Sequence, residues 1–246
     1  MTESFMNLWH PIASSEDLPY RHIFQGQLLG RELAVWRADD DFVNVWENRC
    51  LHRGLRLSIG RNDGLELLCQ YHGWRYANRS AGCTYIPAHP ADAPARTICN
   101  RTFPSVERYG LIWSGEEPTG EPPEIAALEN AETLLLRSIA VNAPLNLVLG
   151  HLANYRFSIT GDPDNLATTS MDYQDECSLS LTATCDGKES TVVFFVQPVD
   201  SNRSVIRGVL SNSPEGAERL LTLRHHSAEL SRLRDIVELE ALDGPS

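Results

Sequence analysis

Two short segments constrain this chain more than anything else in it. Cys50-Leu51-His52 and Cys69-Gln70-Tyr71-His72 each offer one thiol and one imidazole, with positions 53–68 between them. Two kinds of metal site use such a donor set. A structural zinc takes two thiolates and two imidazoles around one ion. A [2Fe–2S] cluster with mixed ligands takes the thiolates on one iron and the imidazoles on the other, and the neutral imidazoles raise its reduction potential. The C-x-H and C-x-x-H spacings suit a zinc knuckle poorly. Two loops with one Cys and one His each can set both thiolates inward and both imidazoles near the surface, where electrons can leave.

The rest of the composition narrows the class. Six cysteines in 246 residues do not make a disulfide scaffold, and in a reducing compartment Cys beside His points to metal. The net charge is −12, from 21 basic and 33 acidic side chains. Residues 1–115 hold 12 of each, so the whole excess lies after Gly115. An acidic chain of this kind is not expected to bind a phosphate backbone. No apolar run is long enough to span a bilayer, and Met1–His10 lacks a signal-peptide core. The expectation is a cytoplasmic protein with neither nucleic acid nor membrane as partner.

Strand signals fill the first half. Leu33 and Val35, then Phe42–Trp46, flank the turn Ala38-Asp39-Asp40-Asp41 as a hairpin, and short strands follow near Leu65–Leu68, Trp74–Tyr76 and Leu111–Trp113. The Pro- and Glu-rich run Glu116–Glu124 breaks every pattern and reads as a linker. Beyond it, Leu134–Val141 reads as a strand, and Pro144 opens a helix over Asn142–Phe157 with Leu145, Val148, Leu149 and Leu152 on one face. Ser178–Thr184, Thr191–Val199 and Ser204–Leu210 read as antiparallel strands. From Pro214 a long helix carries Leu223, Leu230 and Val237 on one stripe. The class is α+β: an all-β domain over 1–115, a linker over 116–131, and a second domain over 132–246.

The flanks of the Cys/His segments decide between the two metals. Cys50-Leu51-His52-Arg53-Gly54 and Cys69-Gln70-Tyr71-His72-Gly73-Trp74 resemble the cluster loops of Rieske proteins, specifically the Rieske domains of non-haem iron oxygenases. Trp9-His10-Pro11-Ile12-Ala13 is similar to that family's opening, and the order of elements is kept as far as Trp113. The resemblance implies a Rieske-type [2Fe–2S] cluster with Cys50 and Cys69 on one iron and His52 and His72 on the other. The extra cysteine that respiratory Rieske proteins carry in each loop is missing, so no loop-to-loop disulfide is implied. Cys83 and Cys99 then read as plain thiols, and His89 as a loop histidine.

In that oxygenase family a helix-grip domain follows and holds a mononuclear iron by two histidines and a carboxylate, through N-x-x-D-x-x-H-x4-H on its first helix and a carboxylate on its last. The resemblance implies a truncated domain of this kind here, with that site degenerate. His151 stands at the Asn position, Asn154 at the bridging Asp, Phe157 and Asp162 at the two histidines, and Leu233 at the carboxylate. Phe157 and Leu233 carry no donor, so mononuclear iron is expected to be absent. An unorthodox site from His151, His225, His226 and Glu229 is weighed against a solvated polar helix face. Adjacent histidines point about 100° apart on a helix, so only one is expected to face inward. Asp162, Asp164, Asp172, Asp175 and Glu176 read as a loop-like solvated surface.

The resemblance implies an electron-transfer or auxiliary component of a heteromeric oxygenase, and not its oxygen-activating subunit. It would carry electrons from a flavin or ferredoxin-type reductase to iron in a catalytic partner subunit, in a hetero-oligomer built on trimers. Two other readings stand beside it: an active mono- or dioxygenase with an atypical or partner-completed iron site, and a structural or regulatory subunit whose cluster stabilises the fold.

Overall fold

The apolar run Leu33–Trp36 lies in a strand buried on both faces, and around it the first half of the chain is organised. The computed structural model describes residues 3–89, 97–159, 168–185 and 187–243. The chain divides into two units, Thr2–Pro122 and Pro123–Ser246.

The first unit is all-β. Its strands are β1 (His10–Ser14), β2 (Ile23–Leu28), β3 (Arg31–Arg37), β4 (Val43–Glu47), β5 (Arg61–Asn62), β6 (Glu66–Leu68), β7 (Arg75–Ala77), β8 (Cys83–Tyr85), β9 (Thr102–Phe103), β10 (Val106–Arg108) and β11 (Leu111–Ser114). They form three antiparallel sheets in the orders β1-β11-β10, β2-β3-β4-β9 and β5-β6-β7-β8. The two-residue period of β3 sends Leu33 and Val35 into one core with Ile12, Leu28, Val45 and Phe103. Ala34 and Trp36 go into a second core with Trp46, Leu57, Leu67, Tyr76, Cys50 and Cys69. There the Trp36 and Trp46 rings meet edge to face at 5.1 Å. The second core is the floor of the Cys/His loops.

The β3–β4 turn is as the sequence indicates. Ala38 N–H donates to the Phe42 carbonyl at 3.0 Å, and the Asp40 carboxylate accepts the Phe42 N–H and two N–H groups of Arg79. Glu116, at the start of the run read as a linker, is tied down. Its carboxylate is only 4% exposed and takes ion pairs from both Arg31 and Arg101.

The second unit contains β12 (Leu134–Leu135), β13 (Ile139–Val141), α1 (Leu145–Leu152), β14 (Thr168–Asp175), β15 (Ser178–Cys185), β16 (Lys188–Asp200), β17 (Arg203–Leu210) and α2 (Gly216–Asp243). One antiparallel sheet runs β12-β17-β16-β15-β14, with β13 also paired to β17. Leu179, Leu181 and Ala183 of β15, with Val192, Phe194 and Val196 of β16, pack against Val148, Leu149 and Leu152 of α1 and Leu230, Leu233 and Val237 of α2. The fold is α+β, an all-β unit followed by a unit in which two helices pack on one antiparallel sheet.

Three local readings need correction. Leu134–Val141 is not one strand, since β12 and β13 are separate pieces laid against β17. The first helix ends at Leu152, not at Phe157. The Asn154 and Tyr155 N–H groups bond back to His151 and Leu152 in a tightened last turn. Tyr155 and Phe157 are both buried, which two residues two apart achieve on an extended chain but not on a helix. Finally, Thr168–Asp175 is an edge strand rather than a loop. Its Asp172 and Asp175, with Glu176 beyond, are exposed as expected, whereas Asp162 and Asp164 lie outside the described residues.

Candidate metal centre

The two Cys/His segments fold into the same loop. Gly54 N–H donates to the Cys50 carbonyl at 2.8 Å, and Gly73 N–H donates to the Cys69 carbonyl at 3.0 Å. In each loop the cysteine's own N–H reaches five residues on, Cys50 to Leu55 and Cys69 to Trp74, both at 2.8 Å. Each turn is closed by a glycine in the left-handed region, Gly54 at φ +71° and Gly73 at φ +67°, where a side chain is disfavoured. The repeated unit is therefore Cys-x3-Gly, with the histidine at its third position in one loop and its fourth in the other.

This geometry gathers the four donors as two pairs. Cys50 and Cys69 are buried, and their sulfurs lie within hydrogen-bonding reach of each other. Burial pushes the Cys69 thiol up and the neighbouring Cys50 adds to it, while the Tyr71 and His72 N–H groups point at its sulfur and oppose the shift. His52 and His72 are exposed, with ring centroids 4.6 Å apart. The His52 pKa is lowered from the ordinary imidazole value by desolvation first, then by His72 and Arg53, a direction that favours the neutral form that binds metal. Among the described residues no three His, Cys, Asp or Glu side chains gather closely enough for a single ion. A buried thiol pair with peptide N–H groups aimed at sulfur, capped by an exposed imidazole pair, fits a two-iron cluster better than one zinc.

Two aromatic residues that the donor pattern alone does not flag complete the site. Trp74 lies flat on His52, with centroids 5.0 Å apart and planes within 4°. Tyr76, from β7, is buried and reaches both Cys50 Sγ at 3.2 Å and the Leu51 N–H at 3.1 Å. In the sequence Trp74 only closes the second Cys/His segment, and Tyr76 is an apolar-leaning residue of a short strand. Cys83 is a buried thiol of the same core, its pKa raised by burial, whereas Cys99 is exposed. His89 sits in a turn, its N–H bonded to Ile86.

In the second unit, Phe157 is fully buried against the Tyr155 and His226 rings, and Leu233 belongs to the same apolar core. Asn154 is exposed and donates its amide to the Gly150 carbonyl. Asp162 lies outside the described residues.

The solvated-face reading of His225 and His226 is overturned, because they are 7% and 1% exposed. Both imidazoles can be buried since the segment after α1 packs over two sides of α2. Tyr155 Oη bonds His226 Nδ1 at 2.8 Å, and the Ser158 N–H donates to His225 Nε2 at 3.2 Å. Burial lowers the pKa of both, and that of His226 falls to about 3 with His225 contributing. His151, His225 and Glu229 border one open cavity of about 460 Å3. Yet His151 pairs with Glu240 at 2.7 Å and Glu229 pairs with Arg232, so the donors are turned to other partners.

Residues 8–107 match the family model for the Rieske [2Fe-2S] domain. Among curated relatives, the oxidoreductase NdmD of Pseudomonas putida is 47% identical over 156 residues, covering 62% of this chain and 26% of that one. Methylxanthine N1-demethylase NdmA of the same organism is 33% identical over 143 residues, 56% of this chain and 40% of that one. TsaM1, the iron-sulfur subunit of the toluene-4-sulfonate monooxygenase system of Comamonas testosteroni, is 35% identical over 121 residues, 48% of this chain and 34% of that one. The chain thus spans well under half the length of these relatives. The alignment to NdmD is longer than the first unit, so that likeness runs into the second.

Among solved structures, NdmA of Pseudomonas putida CBB5 superposes with a TM-score of 0.78 at 20% identity, over 96% of this chain and 82% of that one. Apo dicamba monooxygenase does so with 0.78 at 19%, over 98% and 88%. At these identities the likeness is one of fold.

Proposed function

The first unit of this chain belongs to the Rieske [2Fe–2S] domain family, and from that premise we propose that the protein is an electron-transferring component of a multi-subunit non-haem iron oxygenase system. In this reading residues 1–115 are the cluster domain, 116–131 a linker, and 132–246 a helix-grip domain without its own iron. Cys50 and Cys69 would hold one iron as thiolates, and His52 and His72 would hold the other as neutral imidazoles. When bound, such a cluster supplies a one-electron couple in the range of roughly −150 to +300 mV. The chain's own part is to bury the thiolates, direct peptide N–H groups and the Tyr76 hydroxyl at sulfur, and leave the imidazole edge open to partners.

The observation that carries this reading lies in the second unit. At two of the positions the resemblance assigns to iron ligands, the structure has Phe157 and Leu233 packed into the hydrophobic core. Such side chains offer iron nothing, so an electron leaving the cluster needs an acceptor in another polypeptide. Among the relatives, one is named an oxidoreductase and another an iron-sulfur subunit of a monooxygenase system, which supports a place in a multi-component chain from a reductase to a catalytic oxygenase.

Iron and sulfide analysis of the purified protein, joined to stopped-flow absorbance, tests the proposal. Two irons and two sulfides per chain are expected, with rapid reduction by a flavin reductase and reoxidation only after a catalytic oxygenase subunit is added. Three irons per chain, or substrate oxidation by the protein with reductase alone, would return the mononuclear site to this chain.

A further inference from the structure

The outer side of α2 carries a seam that the protein's own core does not use. Ile236 and Leu239 are 55% and 63% exposed, although the helix buries Leu230, Leu233 and Val237 on its inner face. Arg232, Ile236, Leu239 and Asp243 are spaced by four, three and four residues, and all four are exposed. At about 100° per residue they fall within one narrow sector of the helix, displaced from the buried stripe. Alternating steps of four and three are the spacing of a coiled-coil seam.

The order of the four residues reads in reverse as its own complement. Under a two-fold axis midway between Ile236 and Leu239, an antiparallel second α2 sets Ile236 against Leu239 in two central layers. The same operation sets Arg232 against Asp243 at both ends. A parallel pairing would instead oppose Arg232 to Arg232 and Asp243 to Asp243, at an electrostatic cost. Arg232 is 73% exposed at its side chain and gives one terminal N–H to Glu229, leaving the rest of its guanidinium fork for a carboxylate opposite.

We propose that a second copy of this chain covers the seam, making an antiparallel α2–α2 dimer through Ile236 and Leu239, with Arg232–Asp243 ion pairs fixing its direction. An isologous contact of this kind needs one self-complementary patch and closes after two copies. Four layers make a short seam beside the roughly 1,200–2,000 Å2 of a standard interface, so the association is concentration-dependent. The contact uses none of the four Cys/His donors, although Arg232 and Ile236 also border the cavity that His151, His225 and Glu229 line.

Sedimentation velocity on the full, cluster-loaded chain over a wide concentration range tests this directly. The mass is expected to rise from that of one 27.5 kDa chain towards twice that value. Leu239→Glu is expected to hold it at the single-chain mass. Asp243→Arg is expected to do the same by facing Arg232, and adding Arg232→Asp to it is expected to restore the dimer. Because both charged positions are exposed, the double exchange decides the matter even if Leu239→Glu fails to fold. A wild-type protein that stays at single-chain mass throughout overturns the proposal. So does an assembly unmoved by Asp243→Arg, or a double exchange that restores nothing.

Discussion

The Tyr76 hydroxyl stands 3.2 Å from Cys50 Sγ while it accepts the Leu51 N–H at 3.1 Å. Once Cys50 is a thiolate ligand it has no proton to give, so the Tyr76 hydroxyl is the donor of this pair. A hydrogen bond to a ligating sulfur favours the more negative, reduced cluster, so it raises the potential. Tyr76→Phe should leave the cluster assembled and lower its midpoint on the order of 40 mV, from a bond worth about 1 kcal/mol. Protein-film voltammetry would read this, and an unchanged midpoint would remove Tyr76 from the electronics of the site.

His72→Cys bears on the outer pair. Replacing a neutral imidazole by a thiolate adds negative charge to the cluster and moves it towards the all-thiolate regime, which lies near −400 mV in plant-type ferredoxins. A retained cluster with a midpoint lower by roughly 100 mV and altered electron paramagnetic resonance is expected. An unaltered spectrum and midpoint would take His72 out of the ligand set.

Phe157→Ala separates core packing from metal binding. Phe157 is fully buried between Tyr155 and His226, so truncation should cost about 3–5 kcal/mol in urea unfolding. The iron content should stay at two per chain. Loss of iron along with the phenyl ring would contradict the reading of this position as plain core.

His226 makes the second unit sensitive to acid. Its pKa is lowered to about 3 by burial, with His225 contributing, whereas in the unfolded chain it titrates near 6.5. Below 6.5 the unfolded chain therefore binds a proton that the folded one refuses. The stability is complete above that pH and is lost as pH falls towards 3, with a slope approaching roughly 1.4 kcal/mol per pH unit. His226→Gln keeps a polar partner for the Tyr155 hydroxyl and should flatten the difference between urea midpoints at about pH 7.5 and about pH 5. Equal slopes in the two proteins would mean that His226 is not the group responsible.

What could be read in advance was what is local. The donors sit close together in sequence, and the alternation in Ser178–Thr184 and Thr191–Val199 survives in β15 and β16 because one face of each is packed. β14 leaves no such mark in the sequence because it is an edge strand exposed on both sides, so Met171 and Tyr173 alternate with Asp172 and Gln174 without the contrast burial imposes. The end of α1 was obscured because Tyr155 and Phe157 continue an apolar pattern while the backbone has already left the helix. The burial of both His225 and His226 is hidden in the sequence for a related reason. A helical wheel assumes one buried side, and here the segment carrying Tyr155 and Ser158 supplies a second. Tyr76 could not be singled out, since its hydroxyl's target is made by a loop far along the chain.

The paired Cys-x3-Gly loops give the site an internal standard. Gly54→Ala and Gly73→Ala impose the same backbone penalty at corresponding points. The new methyl at position 54 meets open space, while at position 73 it meets Pro87 at 3.3 Å. Whatever separates the two variants in cluster retention therefore reports the crowding on the His72 side alone, measured against a twin that the chain itself provides.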